Sequence, residues 1–174
     1  MYEEKINAYF DAPERRAELV EAISRLVRIR SVREEPLPGM PFGPGPAAAL
    51  AEGLKLAEEL GFATRNYDNY VGTADLNDKE TALHILCHLD VVGEGTGWTV
   101  TEPYVPKEVD GMLYGRGTDD DKGPVAAVLL AMKAVKELGV PLRRNARLLM
   151  GTDEESGSSA VSYTHLTLPT TPYV

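Results

Sequence analysis

The apolar runs Leu83-His84-Ile85-Leu86-Cys87 and Arg147-Leu148-Leu149-Met150 bracket a stretch in which Val125, Val128, Leu129, Met132 and Val135 recur at helical spacing until Gly139 closes it. The short runs have strand character and the intervening stretch, Pro124 to Leu138, reads as a helix. The same alternation begins upstream. Leu19, Ala22, Ile23, Leu26 and Val27 mark an amphipathic helix between Pro13 and Arg30, and a second helix runs from about Ala47 to Leu60 and ends at Gly61. Strand-like segments follow at Ala63 to Tyr67 and Tyr70 to Ala74. Strands alternating with helices of this length imply a layered α/β fold with a mixed, largely parallel sheet flanked by helices. Between the first two helices, Glu34 to Pro46 carries five prolines and three glycines, which predicts a loop without regular hydrogen bonding.

With 174 residues, 43% hydrophobic and 26% charged, the chain has the composition of one globular domain. Its 27 acidic and 18 basic residues give a net charge of -9, which repels a polyanion and argues against a nucleic-acid partner. The lone Cys87 excludes an internal disulfide framework. The start, Met1-Tyr2-Glu3-Glu4-Lys5, lacks the basic and apolar regions of a secretory signal, and no apolar run approaches the roughly 18 residues that span a bilayer, so a cytoplasmic protein without membrane contact is expected. The last 14 residues, Val161 to Val174, hold four threonines and no Asp, Glu, Lys or Arg. The string from Val161 to Thr170 looks like the translation of a transposase adapter used in sequencing libraries. Residues 161–174 are therefore expected to be a non-native tail on an interrupted domain of residues 1–160, and His165 is assigned no function.

Chemistry concentrates in three clusters, each where a predicted strand or helix meets a loop, which is where ligands bind in α/β sheets. In His88-Leu89-Asp90 the imidazole and the carboxylate share one face of a strand end, so Asp90 can orient a ring whose other nitrogen binds a metal. His84 shares that parity but lies roughly 13 Å back at about 3.3 Å per residue, and Cys87 points to the opposite face, towards a core. The second cluster is Gly115-Arg116-Gly117-Thr118-Asp119-Asp120-Asp121-Lys122-Gly123-Pro124, opening onto a helix. Consecutive carboxylates repel one another unless a cation lies between them; a solvated loop with Asp121 near the helix cap is the plainer alternative. A calcium loop of the EF-hand kind fails on spacing, since the twelfth position counted from Asp119 is Leu130. The third cluster, Gly151-Thr152-Asp153-Glu154-Glu155-Ser156-Gly157, follows an apolar run directly. Adjacent carboxylates at a buried strand end suit one cation ligand and one proton carrier, or else a solvated acidic turn.

Taken together, these three ordered clusters resemble the dinuclear zinc dipeptidases, carnosinases and aminoacylases. The stretches Pro41-Phe42-Gly43 and Leu60 to Gly72 look most like the bacterial PepV-type dipeptidases within that family. The resemblance covers about residues 1 to 160. It implies a zinc-peptidase catalytic domain in which His88 binds one zinc, Asp120 bridges two, Glu155 binds the other, Asp90 orients His88 and Glu154 is the general base. It also implies a cis peptide between Asp120 and Asp121, and a small peptide as substrate. The same donors are compatible with Mn2+ or Co2+, so zinc follows from the resemblance.

The chain departs from the family's pattern beyond Glu155. A further Asp and a late His, which complete the two sites in the family, have no counterpart here, nor does the lid domain that holds the substrate. Each zinc would keep two protein ligands, one shared, where stable sites have three or four, so the chain by itself is expected to be inactive. An N-acyl amino-acid deacylase or desuccinylase of the same family would share all three clusters, and a non-catalytic cation-binding domain is the alternative from another class.

Overall fold

The computed structural model describes residues 2–157, so the stretch 161–174 and His165 lie outside the described residues. In chain order the elements are α1 (Tyr2–Phe10), α2 (Pro13–Val27), α3 (Pro44–Glu59), β1 (Ala63–Tyr67), β2 (Val71–Asp75), β3 (Thr81–His88), β4 (Lys107–Val109), β5 (Met112–Tyr114), α4 (Lys122–Glu137), β6 (Asn145–Gly151) and a 3-10 turn (Glu154–Ser156). This is the expected layered α/β fold with a mixed sheet, in the strand order β1-β2-β6-β3.

The parallel share of the sheet is smaller than expected. Strands β1 with β2 and β2 with β6 pair antiparallel, and only β3 with β6 pairs parallel. The reason is local. β1 and β2 are joined by a tight turn in which Asp68 and Asn69 both take positive φ, 52° and 59°, which reverses the chain at once. Only the passage from β3 to β6 contains a crossover helix, α4, and a parallel pair needs one.

Side chains alternate across the sheet with period two. Ala74, Cys87, Leu148 and Met150 join Leu26, Leu50, Leu54, Val125 and Leu129 in one core beneath α2, α3 and α4. Val71 and Leu149 point the other way, into a small cluster with Phe42 and the partly buried Tyr67 and Tyr70. Cys87 thus lies in the core, on the face opposite His88, as the strand parity predicts. Gly72 is needed on the main core face, because a Cβ there would come within 2.7 Å of Leu50 and 2.9 Å of Leu54.

Three elements differ from the sequence reading. The Pro- and Gly-rich stretch is a loop only as far as Gly43. Pro44 and Pro46 open α3 instead of preceding it, since the first-turn N–H groups of a helix have no partner to lose. The loop is also not free of backbone pairing, because Leu37 and Met40 exchange hydrogen bonds of 3.0 and 2.8 Å across a turn. Helix α1 and the β4–β5 hairpin have no counterpart in the sequence reading. The hairpin turns on Asp110-Gly111, with φ of 51° and 80°, a pair that favours this reversal.

The register sets the position of the site. His88 is level with Gly151 in the parallel pair, so the loops leaving β3 and β6 emerge side by side. As the crossover between them, α4 starts at the same end of the sheet, and the residues just before it, Asp120 and the cap residue Asp121, are brought to those two loops.

Candidate metal centre

His88 closes β3 with its side chain 10% exposed. Its Nδ1 lies 3.0 Å from the backbone oxygen of Asp90, and its Nε2 lies 3.0 Å from Asp120 Oδ1. Glu154 Oε2 approaches the same Nε2 at 3.8 Å. Ligand atoms of His88, Asp120 and Glu155 all fall within 4.8 Å of one another. A single ion could touch all three, and nitrogen and carboxylate oxygen donors suit zinc, manganese or cobalt.

Asp90 is 1% exposed and does more than flank the imidazole. Its Oδ1 is 3.5 Å from His88 Nδ1, while the two carboxylate oxygens accept hydrogen bonds from Glu154 N at 3.1 Å and Glu155 N at 3.0 Å. One buried carboxylate therefore ties the loop after β3 to the first two residues of the 3-10 turn after β6. Charge-assisted bonds to free N–H groups at a helix start are among the stronger kinds.

The middle cluster is shaped by its glycines. Gly117 has φ of 86°, and a Cβ on Gly123 would sit 2.1 Å from Thr118 O, so the chain must be bare at both positions to fold back on itself. Lys122 N and Gly123 N both donate to Gly117 O, and Thr118 Oγ1 donates to Gly115 O, closing the loop just before α4. The Asp120–Asp121 peptide is cis, as the family resemblance implies. Asp121 occupies the cap position of α4 but makes no side-chain cap bond; its Oδ2 instead accepts His88 N at 3.0 Å. Asp120 points outward, its side chain 73% exposed, towards the space it shares with Glu154. Lys122 turns inward, fully buried, and donates to Ile29 O at 2.7 Å. It does not interleave between the aspartates.

The electrostatics follow from this crowding. Burial disfavours a charged His88 ring, but the hydrogen bond and charge of Asp90 and the charge of Asp121 outweigh it and push its pKa up to about 9. Burial raises the Glu155 carboxyl and the negative charge of Asp120 adds to it, while burial is also the main reason Asp121 is raised. Burial brings Lys122 down to about 7 against the opposing pull of Asp90, and drives the Cys87 thiol up to about 12 with help from the Asp121 charge.

All five residues named from the sequence, His88, Asp90, Asp120, Glu154 and Glu155, therefore meet at one end of the sheet, and the exposed His84 stays out of it. Two residues that support the arrangement have no signal of their own. Lys122 is a charged residue whose burial no helical pattern announces. Arg33, in the loop after α2, donates to Asp153 Oδ1 at 2.6 Å across 120 residues of sequence.

Residues 84–168 match the model of peptidase family M20/M25/M40, and the fold is similar to that of a solved dipeptidase. That structure is human carnosine dipeptidase 1, with a TM-score of 0.76 and 32% identity over 91% of this chain and 36% of its own. YtjP of Bacillus subtilis, which carries the name of a dipeptidase, is 38% identical over 160 residues, 90% of this chain and 34% of its own. A similarly named protein of Staphylococcus saprophyticus is 37% identical over 158 residues. The dipeptidase Dug1p of Saccharomyces cerevisiae shares the fold at a TM-score of 0.60 and 20% identity. The chain spans about a third of the length of these relatives. Among the described residues no helix is long and apolar enough to cross a membrane.

Proposed function

We propose that this chain is the N-terminal part of the catalytic domain of a dinuclear zinc dipeptidase, which hydrolyses the peptide bond of dipeptides or short peptides with a free N-terminus. The observation that carries the reading is the convergence of His88, Asp120 and Glu155 within 4.8 Å, drawn from a strand end, a helix start and a turn that are far apart in sequence. In this reading His88, Asp120 and Glu155 are the residues that would hold the ions, with Asp120 shared between the other two. Zinc is the metal proposed, with manganese and cobalt accepted by the same donors. A cytoplasmic location belongs to the same reading.

Divalent ions held by these residues would supply Lewis acidity for polarising the scissile carbonyl and acidifying water. The rest of the work falls to side chains of this chain. Glu154, with its side chain 55% exposed and its carboxylate 3.8 Å from His88 Nε2, reaches the reacting space and can take a proton from the attacking water and return it to the leaving amine. Asp90 orients the His88 ring and holds the backbone of Glu154 and Glu155, through its contacts with the ring and with the two N–H groups. The surplus of carboxylates favours a substrate that presents a free ammonium.

Calorimetric titration of the chain with Zn2+ tests the metal reading. The parent should bind, and His88→Ala, Asp120→Asn and Glu155→Gln should each weaken binding by about tenfold or more. Equal affinity in parent and variants would remove these residues from the metal site. The activity is tested on a dipeptide panel with a protein of the relatives' full length carrying these residues, in which chelation must abolish hydrolysis.

A further inference from the structure

The two residues before Glu154 are gripped by parts of the molecule that play no part in the chemistry described above. Thr152 is fully buried, and its hydroxyl lies 2.9 Å from Asn69 O and 2.8 Å from Tyr70 O, so it is pinned to the β1–β2 turn. Asp153 is buried as well, its side chain 2% exposed, and it receives the 2.6 Å bond from Arg33. The Arg33 guanidinium is 5.1 Å from the centre of the Phe42 ring, and Phe42 stands edge-on to Tyr70 at 5.4 Å. Glu34 N donates to Phe42 O at 3.0 Å, and Asn69 Nδ2 donates to Gly39 O at 2.8 Å. Arg33, its side chain 46% exposed, thus lies between Asp153 and an aromatic face on a loop whose ends are joined.

We propose that Arg33 is a positioning residue that acts through Asp153 to hold the Glu154–Glu155 turn in place. A buried carboxylate is unfavourable without a cation close by, and a charge-assisted bond of this length is a strong one. Asp153 directly precedes the 3-10 turn. Removing the guanidinium takes away the charge-assisted bond that ties Asp153 to the Pro- and Gly-rich loop, and a shift of Asp153 carries the backbone of Glu154 away from Asp90. The turn is therefore clamped from two sides, by Asp90 on its N–H groups and by Arg33 on the residue before it. The Pro- and Gly-rich loop becomes part of the site's support. The consequence for metal binding rests on the proposed function; the mechanical coupling does not.

Amide hydrogen exchange of the metal-free chain, read residue by residue by NMR, tests the coupling. In Arg33→Ala the Glu154 and Glu155 amides should exchange faster by about tenfold or more, while Leu148 and Leu149 in β6 keep the parent rate. Arg33→Lys should fall between the two, because an ammonium restores the charge but not the planar contact with Phe42. Adding Asp153→Asn to Arg33→Ala should bring both amides back to within about threefold of the parent, since the buried charge is then gone. Unchanged exchange at Glu154 and Glu155 in Arg33→Ala would overturn the proposal, and so would a uniform rise across β6 or a failure of the double variant to recover. Zinc titration of the same variants should follow the exchange rates. A parent chain that binds no zinc would sink the metal reading and leave the exchange experiment to decide the role of Arg33.

Discussion

Raising the pH of the metal-free chain should leave the His88 imidazole charged well past neutrality. The Asp90 carboxylate and the nearby Asp121 overcome the burial of the ring and move its pKa from 6.5 to about 9. A change of that size favours the imidazolium in the folded chain by about 3 kcal/mol. Because the folded pKa is the higher one, this stabilisation is fully present below about pH 6.5 and is lost as the pH climbs through about 9. Lys122 works in the opposite sense. Burial lowers it from 10.5 to about 7, so the fold gains stability as pH rises between those values. The two effects oppose each other from about pH 7 to about pH 9, which makes a melting curve a poor probe and the imidazole resonances the right one. A titration followed by NMR should place His88 near 9 in the parent and lower in Asp90→Asn. Zinc bound by His88, as proposed, would have to displace that proton. At neutral pH the competition should weaken zinc binding by about a hundredfold, and the affinity should rise about tenfold per pH unit up to about pH 9. Calorimetry in two buffers of different ionisation heat would count the proton released. A His88 that titrates at or below 6.5, or a zinc affinity flat from about pH 7 to about pH 9, would refute the reasoning.

Other perturbations separate the parts of the site. Glu154→Gln should leave zinc affinity within about threefold of the parent and remove hydrolysis in a full-length protein, whereas Glu155→Gln should lower affinity itself; equal loss of affinity in both would merge the roles assigned to them. Gly123→Ala places a methyl group 2.1 Å from Thr118 O, so the loop carrying Asp120 must shift, and chemical denaturation should read a loss of roughly 1–3 kcal/mol together with weaker zinc binding. Leu148→Ala, at a fully buried position in the centre of the sheet, should cost about 2–5 kcal/mol in the same assay while leaving the His88 titration where it is.

The site was more legible in the sequence than the sheet around it, and the reason is physical. His88, Asp120 and Glu155 each stand where an apolar run stops or a helix starts, and the runs of consecutive carboxylates there repel one another unless something cationic answers them. That local cost is visible in a single sequence. Strand direction is not, because it depends on which segments pair. Asp68 and Asn69 both take positive φ in a tight reversal, and no run of strand and helix signals around them fixes that antiparallel partners follow on either side. The partners of Asp90 are invisible for another reason, since they are backbone N–H groups that any residues at those positions would present. Arg33 is one of many exposed arginines in composition, and only its meeting with Asp153 across the fold distinguishes it. The β4–β5 hairpin is a different case, because Asp110-Gly111 is a recognisable turn pair whose flanking strands, three residues each, are too short to show alternation.

The protonation pattern is itself an argument for a cation at this end of the sheet. His88, Asp121 and Glu155 come from three separate segments, and each is shifted towards holding its proton. Burial accounts for the direction at the two carboxyls, but at His88 burial acts the other way and is overcome by surrounding negative charge. A field strong enough to keep a buried imidazole charged to about pH 9 belongs to a cluster with more carboxylates than its own cations neutralise. The ammonium of Lys122, next in sequence to Asp121, is committed to Ile29 O in the interior and is itself pushed towards neutrality. The metal-free site therefore gathers protons, and a divalent ion at the point shared by His88, Asp120 and Glu155 would take the place of those protons at one position. On this argument, the measured proton release on zinc binding should fall in Asp120→Asn, which removes one of the negative charges that His88 faces. Release unchanged in that variant would mean that the field at His88 arises from Asp90 and Asp121 alone.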